Sequence, residues 1–148
     1  MIYSPMVNKA INIMFEAHKN QKDKSGIPYV FHPFHLAEQM TNEDATIVAL
    51  LHDTIEDTDI TEEYLRKQGF KPEIIDAVVL LTRKKDENYF DYINRVKGNS
   101  IAREVKIADL KHNSDLTRLE RINESDKKRA NKYKKALNSL LVADLEVK

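Results

Sequence analysis

The sequence predicts an all-α fold, a compact bundle of about seven or eight helices, and three observations carry that expectation. Apolar residues recur at three- and four-residue spacing through most of the chain, the pattern of a helix that buries one face. Glycine and proline are scarce, with 3 and 4 copies in 148 residues. The dipeptides that close tight hairpins, Asn-Gly and Asp-Gly, do not occur.

The helices follow in order. Pro5 suits the first turn of a helix reaching Asn20, with Ile11, Met14, Phe15 and His18 on one stripe. Gly26, Pro28 and Pro33 make the stretch from Gln21 to Pro33 an ordered loop, and Pro33 then opens a short helix to Met40. Thr41 or Asn42 can cap the next helix, whose apolar run Ala45 to Leu51 implies burial on most sides and leads directly into His52-Asp53. Thr61 with Glu62 and Glu63 marks another helix start, and Gly69 its stop. Pro72 begins a helix carrying Ile74, Ile75, Val78, Val79 and Leu81. Asp86 can cap a helix from Glu87 to Lys97, ended by Gly98. Asn99 or Ser100 opens one containing Ile101, Val105, Ala108 and Asp109. Ser125 starts a last helix with Tyr133, Ala136, Leu137, Leu140 and Leu141 at core spacing.

Bulk properties narrow the function. The length suits one domain over residues 1–148. With 24 basic and 24 acidic residues, no global charge attracts nucleic acid or an anionic membrane, and neither is expected as a partner. Cysteine is absent, which removes disulfides, thiolate catalysis and Cys-ligated zinc. Asn8, Lys9, Asn12 and Glu16 interrupt the first segment, so neither a signal peptide nor a membrane span is expected there, and a cytoplasmic location follows by default. Assembly into a homo-oligomer is compatible with the sequence.

The chemistry lies in His52-Asp53-Thr54-Ile55-Glu56-Asp57. On a continuous helix His52 would share a face with Glu56, and Asp53 with Asp57. Three carboxylates this close repel one another and raise their own pKa values unless a cation joins them. One His-Asp pair cannot complete a coordination sphere, so further ligands must come from elsewhere. His32, beside Pro33, and Asp109, at the edge of an apolar face, are the candidates. His32, His52, Asp53 and Asp109 form a mixed N/O set suited to one Mn²⁺, Fe²⁺ or Zn²⁺, with room for water and substrate. Such a metal lowers the pKa of bound water and supplies a hydroxide nucleophile. Glu56 and Asp57 could orient that water or act as general acid and base. His18 and His35 are more readily read as structural histidines.

At these residues the chain resembles the HD-domain phosphohydrolases, and within them the hydrolase domain of the Rel/Spo alarmone enzymes. The resemblance is carried by Ala17-His18-Lys19-Asn20-Gln21, by Lys24-Ser25-Gly26-Ile27-Pro28-Tyr29-Val30-Phe31-His32-Pro33, by Ala49 to Thr58, and by Val105-Lys106-Ile107-Ala108-Asp109-Leu110-Lys111-His112-Asn113. It implies an all-α HD fold and a single Mn²⁺ on His32, His52, Asp53 and Asp109, with Glu56 and Asp57 activating water. The implied reaction removes the 3′-pyrophosphate of guanosine tetra- or pentaphosphate. It also implies that Lys24, Lys106 and Asn113 bind this phosphorylated nucleotide. Two positions depart from the pattern. Asp23 stands where the alarmone hydrolases carry an Arg that packs against the base, and Leu110-Lys111 replaces their Arg-Leu, as in small stand-alone HD proteins. Another nucleotide, a phosphorylated metabolite, or an idle nucleotide-binding HD protein therefore remain alternatives. The lysines and arginines from Lys127 to Lys135 are expected on the wet face of the last helix.

Overall fold

The computed structural model describes residues 1–147 and is all-α, as the periodicity predicts. Its helices are α1 (Pro5–His18), α2 (Phe31–Glu38), α3 (Glu43–Leu51), α4 (Thr54–Asp57), α5 (Glu62–Lys67), α6 (Pro72–Leu81), α7 (Tyr89–Lys97), α8 (Ser100–Asn113) and α9 (Glu124–Val147), with a 3₁₀ turn at Leu116–Arg118. Among the described residues, β-structure is confined to one isolated bridge between Lys22 and Pro28. Among the described residues no helix is long and apolar enough to cross a membrane.

The helix starts follow local side-chain chemistry. Ser4, Asn42, Thr61, Asn88 and Asn99 each accept a hydrogen bond from an amide of the first turn, satisfying donors that have no intrahelical partner. Asn88, not Asp86, caps α7, because Asp86 adopts a positive φ of 66°. Asn123 and Asp126 cap one another reciprocally: each backbone amide donates to the other's side chain, at 3.0 and 2.8 Å, and α9 therefore starts beside Glu124. Gly69, with φ +88°, lets the chain leave α5 in the left-handed region that favours glycine.

Helix α3 is the axis of the bundle. Every residue from Ala45 to Leu51 is buried, and α1, α2, α6 and α8 pack around it. Around it lie Val7, Ala10 and Met14 of α1, Leu36 of α2, Ile74, Ile75 and Val78 of α6, and Val105 of α8. Phe15 and Val79, expected inside, face outward instead. The α1 stripe is rotated so that Val7, Ala10, Met14 and His18 point inward.

Two boundaries differ from the sequence expectation and both matter for the site. Helix α2 begins at Phe31, so His32 sits in its first turn and not in the preceding loop. Helix α3 does not run on through Asp57; it stops at Leu51, and α4 resumes after a break at His52-Asp53. The carbonyls of the last α3 turn are taken by side chains. His52 Nδ1 meets the Ala49 oxygen at 2.7 Å, and Thr54 Oγ1 donates to the Leu51 oxygen at 2.8 Å. Such local side-chain bonds compete with helix propagation.

Because Leu50 is fully buried at the centre of this axis, Leu50→Ala should lower the unfolding free energy by about 2–5 kcal/mol. Urea denaturation followed by circular dichroism measures it, and a loss below about 1 kcal/mol would contradict a rigid α3 core.

Candidate active site

The break after α3 turns His52 and Asp53 toward the first turn of α2 and the second half of α8. His32, His52 and Asp109 are all buried and offer ligand atoms within 4.8 Å of one another. Asp53, Glu56 and Asp57 form a second, more exposed group at the same spacing. His52 Nε2 joins the two groups, lying 3.1 Å from Asp53 Oδ2 and 3.6 Å from Asp109 Oδ1 without the alignment of a hydrogen bond to either. His32 Nε2 is 2.8 Å from Asp109 Oδ1. The two histidines and two aspartates named from the sequence are thus brought together.

The surroundings orient each of the four. His52 Nδ1 donates to the Ala49 carbonyl, which leaves its buried Nε2 lone pair without a hydrogen-bond partner. Metal-ligating histidines show this arrangement, one ring nitrogen fixed by a backbone carbonyl and the other free. His32 Nδ1 lies 2.7 Å from Nδ1 of His112, whose ring stacks on it at 4.9 Å and 9°. Burial and the neighbouring His32 push His112 down to about 4, so it stays neutral and its Nδ1 can accept a hydrogen bond from His32. Tyr29 Oη donates to the Asp53 carboxylate, and His18 packs against the Tyr29 ring at 5.0 Å. His18 and His35 do not join the ligand atoms: His18 supports Tyr29, and His35 packs on His112. Asp109 receives Lys106 Nζ at 2.8 Å and Asn113 Nδ2 at 2.9 Å.

Charges here demand partners. Burial alone would raise Asp53 and Asp109. The facing His52 brings Asp53 down to about 2, and Lys106 with the histidines holds Asp109 well below the ordinary carboxylate value. Burial opposes a charge on His52, yet Asp53 and Asp109 raise its proton affinity well above the usual histidine value. A proton and a metal ion compete for that same lone pair. The donor set, the orphaned nitrogen and the clustered acids fit a divalent metal, so the structure holds a candidate His/Asp metal site.

Glu56 and Asp57 face outward on α4. Burial, and then the neighbouring acids, raise both carboxyls: Asp57 in the case of Glu56, Asp53 in the case of Asp57. Glu56 Oε1 accepts the Arg83 amide at 2.6 Å. The Arg83–Asn88 loop is held by Arg95, which makes a two-point ion pair with Glu87 at 3.0 and 2.8 Å and donates to the Leu80 and Thr82 carbonyls.

A cavity of about 270 Å³ opens directly over the acids, lined also by Arg83, Tyr89, Lys106, Asn113, Lys132 and Tyr133. It adjoins a second, of about 380 Å³, bounded by Lys24, Tyr29, Asn113, Arg118, Arg129 and Tyr133. Lys106 and Asn113 therefore sit between the cluster and open space, while Lys24 donates to Asp126 at 2.6 Å on the wall of the larger cavity. Asp23 accepts the Ser25 and Ile27 amides at 2.8 and 3.0 Å, and faces Arg118 at 3.8 Å. The wet-face expectation for α9 needs correction: Arg129, Lys132 and Tyr133 line the cavities because the helix packs along α8. Their spacing with Ala136, a buried position, is the sequence signal that places them inward.

The fold and this His/Asp cluster resemble those of an HD-type domain, and comparison with known proteins agrees. No family model matches the chain. It is 44% identical over 84 residues to GTP pyrophosphokinase rsh of Brucella melitensis, covering 54% of this chain and 11% of that protein. It is 34% identical over 112 residues to the guanosine-3′,5′-bis(diphosphate) 3′-pyrophosphohydrolase of Haemophilus influenzae, covering 66% of this chain and 16% of that protein. The chain thus spans between 11% and 16% of the length of these relatives. A solved structure described as "A metazoan ortholog of SpoT hydrolyzes ppGpp and plays a role in starvation responses" superposes with a TM-score of 0.77, covering 95% of this chain and 88% of that one at 24% identity. These relatives and this fold support the resemblance read from the sequence, to an HD-type, Rel/Spo hydrolase-like domain.

Lys106 is largely buried, with 12% of its side chain exposed, and Asp109 is its only carboxylate partner among the described residues. In a chelator, Asp109→Ala should destabilise the fold by about 3–5 kcal/mol, because it strands a buried ammonium. Adding Lys106→Met should recover most of that loss. Equal destabilisation of the single and double variants in urea titrations would show that the ion pair is not the cause.

Proposed function

We propose that the chain is a metal-dependent phosphohydrolase that removes the 3′-pyrophosphate of guanosine tetra- or pentaphosphate. The observation that carries this is the convergence of His32, His52, Asp53 and Asp109 beneath a cavity whose rim holds both acids and cations. The names of the relatives from Haemophilus influenzae and Aquifex aeolicus point to the same reaction and, with it, to a phosphorylated nucleotide as substrate.

On this proposal His32, His52, Asp53 and Asp109 hold one divalent ion, Mn²⁺ by the family resemblance, with Fe²⁺ and Zn²⁺ also suited to two imidazoles and two carboxylates. The ion supplies Lewis acidity, acidifying water and drawing charge from the phosphoryl oxygens. Tyr29 and His112 fix Asp53 and His32 in place, so the ligands need not reorganise. Glu56 and Asp57, with raised proton affinity and open to the cavity, orient water and exchange protons with it. Arg83 restrains Glu56 through its amide. Lys24 and Asn113 both line the larger cavity and suit the nucleoside end, while Lys106 stays beside Asp109 to balance charge.

Asp23 favours a second reading in which the base is not guanine, since a carboxylate replaces the cation expected beside it. A panel of phosphorylated nucleotides and metabolites tests this, and a faster substrate than the guanosine alarmones would reject the first assignment.

With Mn²⁺, the protein should release pyrophosphate from guanosine tetraphosphate, and Asp53→Ala should abolish it. Glu56→Gln should cut kcat by about 10²–10⁴-fold while metal content stays unchanged. No turnover by the metal-replete parent, or full turnover by Asp53→Ala, would refute the proposal.

A further inference from the structure

The inner cavity has a cationic side that the water-activating chemistry does not use. We propose that Tyr89 and Lys132 form a subsite for the pyrophosphoryl group, one that also takes free pyrophosphate; the inference rests on the phosphohydrolase reading above.

Tyr89 stands in the first turn of α7 and lines the cavity of about 270 Å³ that contains Asp53, Glu56 and Asp57. Its hydroxyl is buried and has no hydrogen-bond partner. A buried polar atom left this way is rare and costly, and it calls for a partner that arrives from outside. Burial raises the phenol to about 12, so the group remains a donor near neutrality.

Two cations lie against the same ring: Lys132 Nζ at 4.5 Å and Arg83 Cζ at 5.4 Å from its centroid. Lys106 is matched by Asp109, whereas Lys132 has no carboxylate partner among the described residues. Burial, and after it Arg83, Arg129 and Lys106, lower the proton affinity of Lys132, the mark of crowded positive charge without a counter-ion. A hydroxyl that lacks an acceptor and an ammonium that lacks an anion meet at one wall. Phosphoryl oxygens satisfy both, because they accept from O–H and N⁺–H donors and carry the missing negative charge.

Location separates this group from the rest of a nucleotide. Tyr89 shares its cavity with the candidate metal ligands, at the reacting end, while Lys24 and Arg129 line the adjoining space. The occupant of the inner cavity is therefore the diphosphate that leaves, and the positions of Tyr89 and Lys132 make them specificity residues for a phosphoanhydride over a single phosphate.

Isothermal titration of the metal-loaded full chain with inorganic pyrophosphate tests this without turnover. Tyr89→Phe and Lys132→Gln should each raise Kd about tenfold, as loss of a hydrogen bond to a charged group does. Lys132→Arg should retain binding, and Lys127→Gln, on the exposed side of α9, should leave it unchanged. Thermal melts confirm that each variant is folded. No pyrophosphate binding by the parent, inorganic phosphate bound as tightly as pyrophosphate, or Kd values for Tyr89→Phe and Lys132→Gln within twofold of the parent would overturn the proposal. Should guanosine tetraphosphate resist hydrolysis while both variants still weaken pyrophosphate, the substrate assignment fails and the subsite stands.

Discussion

The burial of α3 on every side until Leu51, and its interruption there, is the constraint on which the site depends. A helix sheathed by α1, α2, α6 and α8 cannot shift or rotate without opening the core, so the residues at its end are held as firmly as core residues. The carbonyls of its last turn are already bonded by His52 and Thr54. That bonding both stops the helix and fixes the imidazole, and the same two hydrogen bonds thereby convert packing into chemistry.

Electrostatics then sort the cavity into two sides. Asp53, Glu56, Asp57 and Asp109 gather on one side, and Arg83 and Lys132 stand on the other, with Arg129 in the adjoining cavity. Neither group neutralises the other: the acidic side is tied to histidines, to Tyr29 and to Lys106, and the basic side is spread over α9 and the loop after α6. Preorganised charges of this kind need not rearrange when a ligand enters, which is where electrostatic catalysis gains most. Glu87 and Arg95 serve the same end at a distance by holding the loop that carries Arg83.

Much of the fold was legible because helix caps and apolar periodicity are local signals. Ser4, Thr61 and Asn99 sit where their side chains can reach first-turn amides, and Gly69 stands where only glycine turns easily. His32, His52, Asp53 and Asp109 were legible as polar groups attached to apolar runs, a placement that needs a reason. The break at His52-Asp53 was not, since whether a side chain takes a helix carbonyl depends on the rotamer that packing selects. Tyr29 and His112 lie within the motifs that carry the family resemblance, yet their partners are 24 and 80 residues away and only the folded chain reveals them. Arg129 and Lys132 were misread because a charged helix face looks the same in sequence whether it borders bulk water or a cavity.

The tie between Lys24 and Asp126 spans 102 residues and joins the loop before α2 to the start of α9. All four candidate metal ligands precede α9 in the chain, while two of the three cations crowded at the cavity wall, Arg129 and Lys132, belong to it. The two parts of the site therefore come from separate stretches of the chain, the acids and histidines from α2 to α8 and most of the cation wall from α9. A chain cut before α9 would keep every candidate ligand and lose two of the cations at the cavity walls.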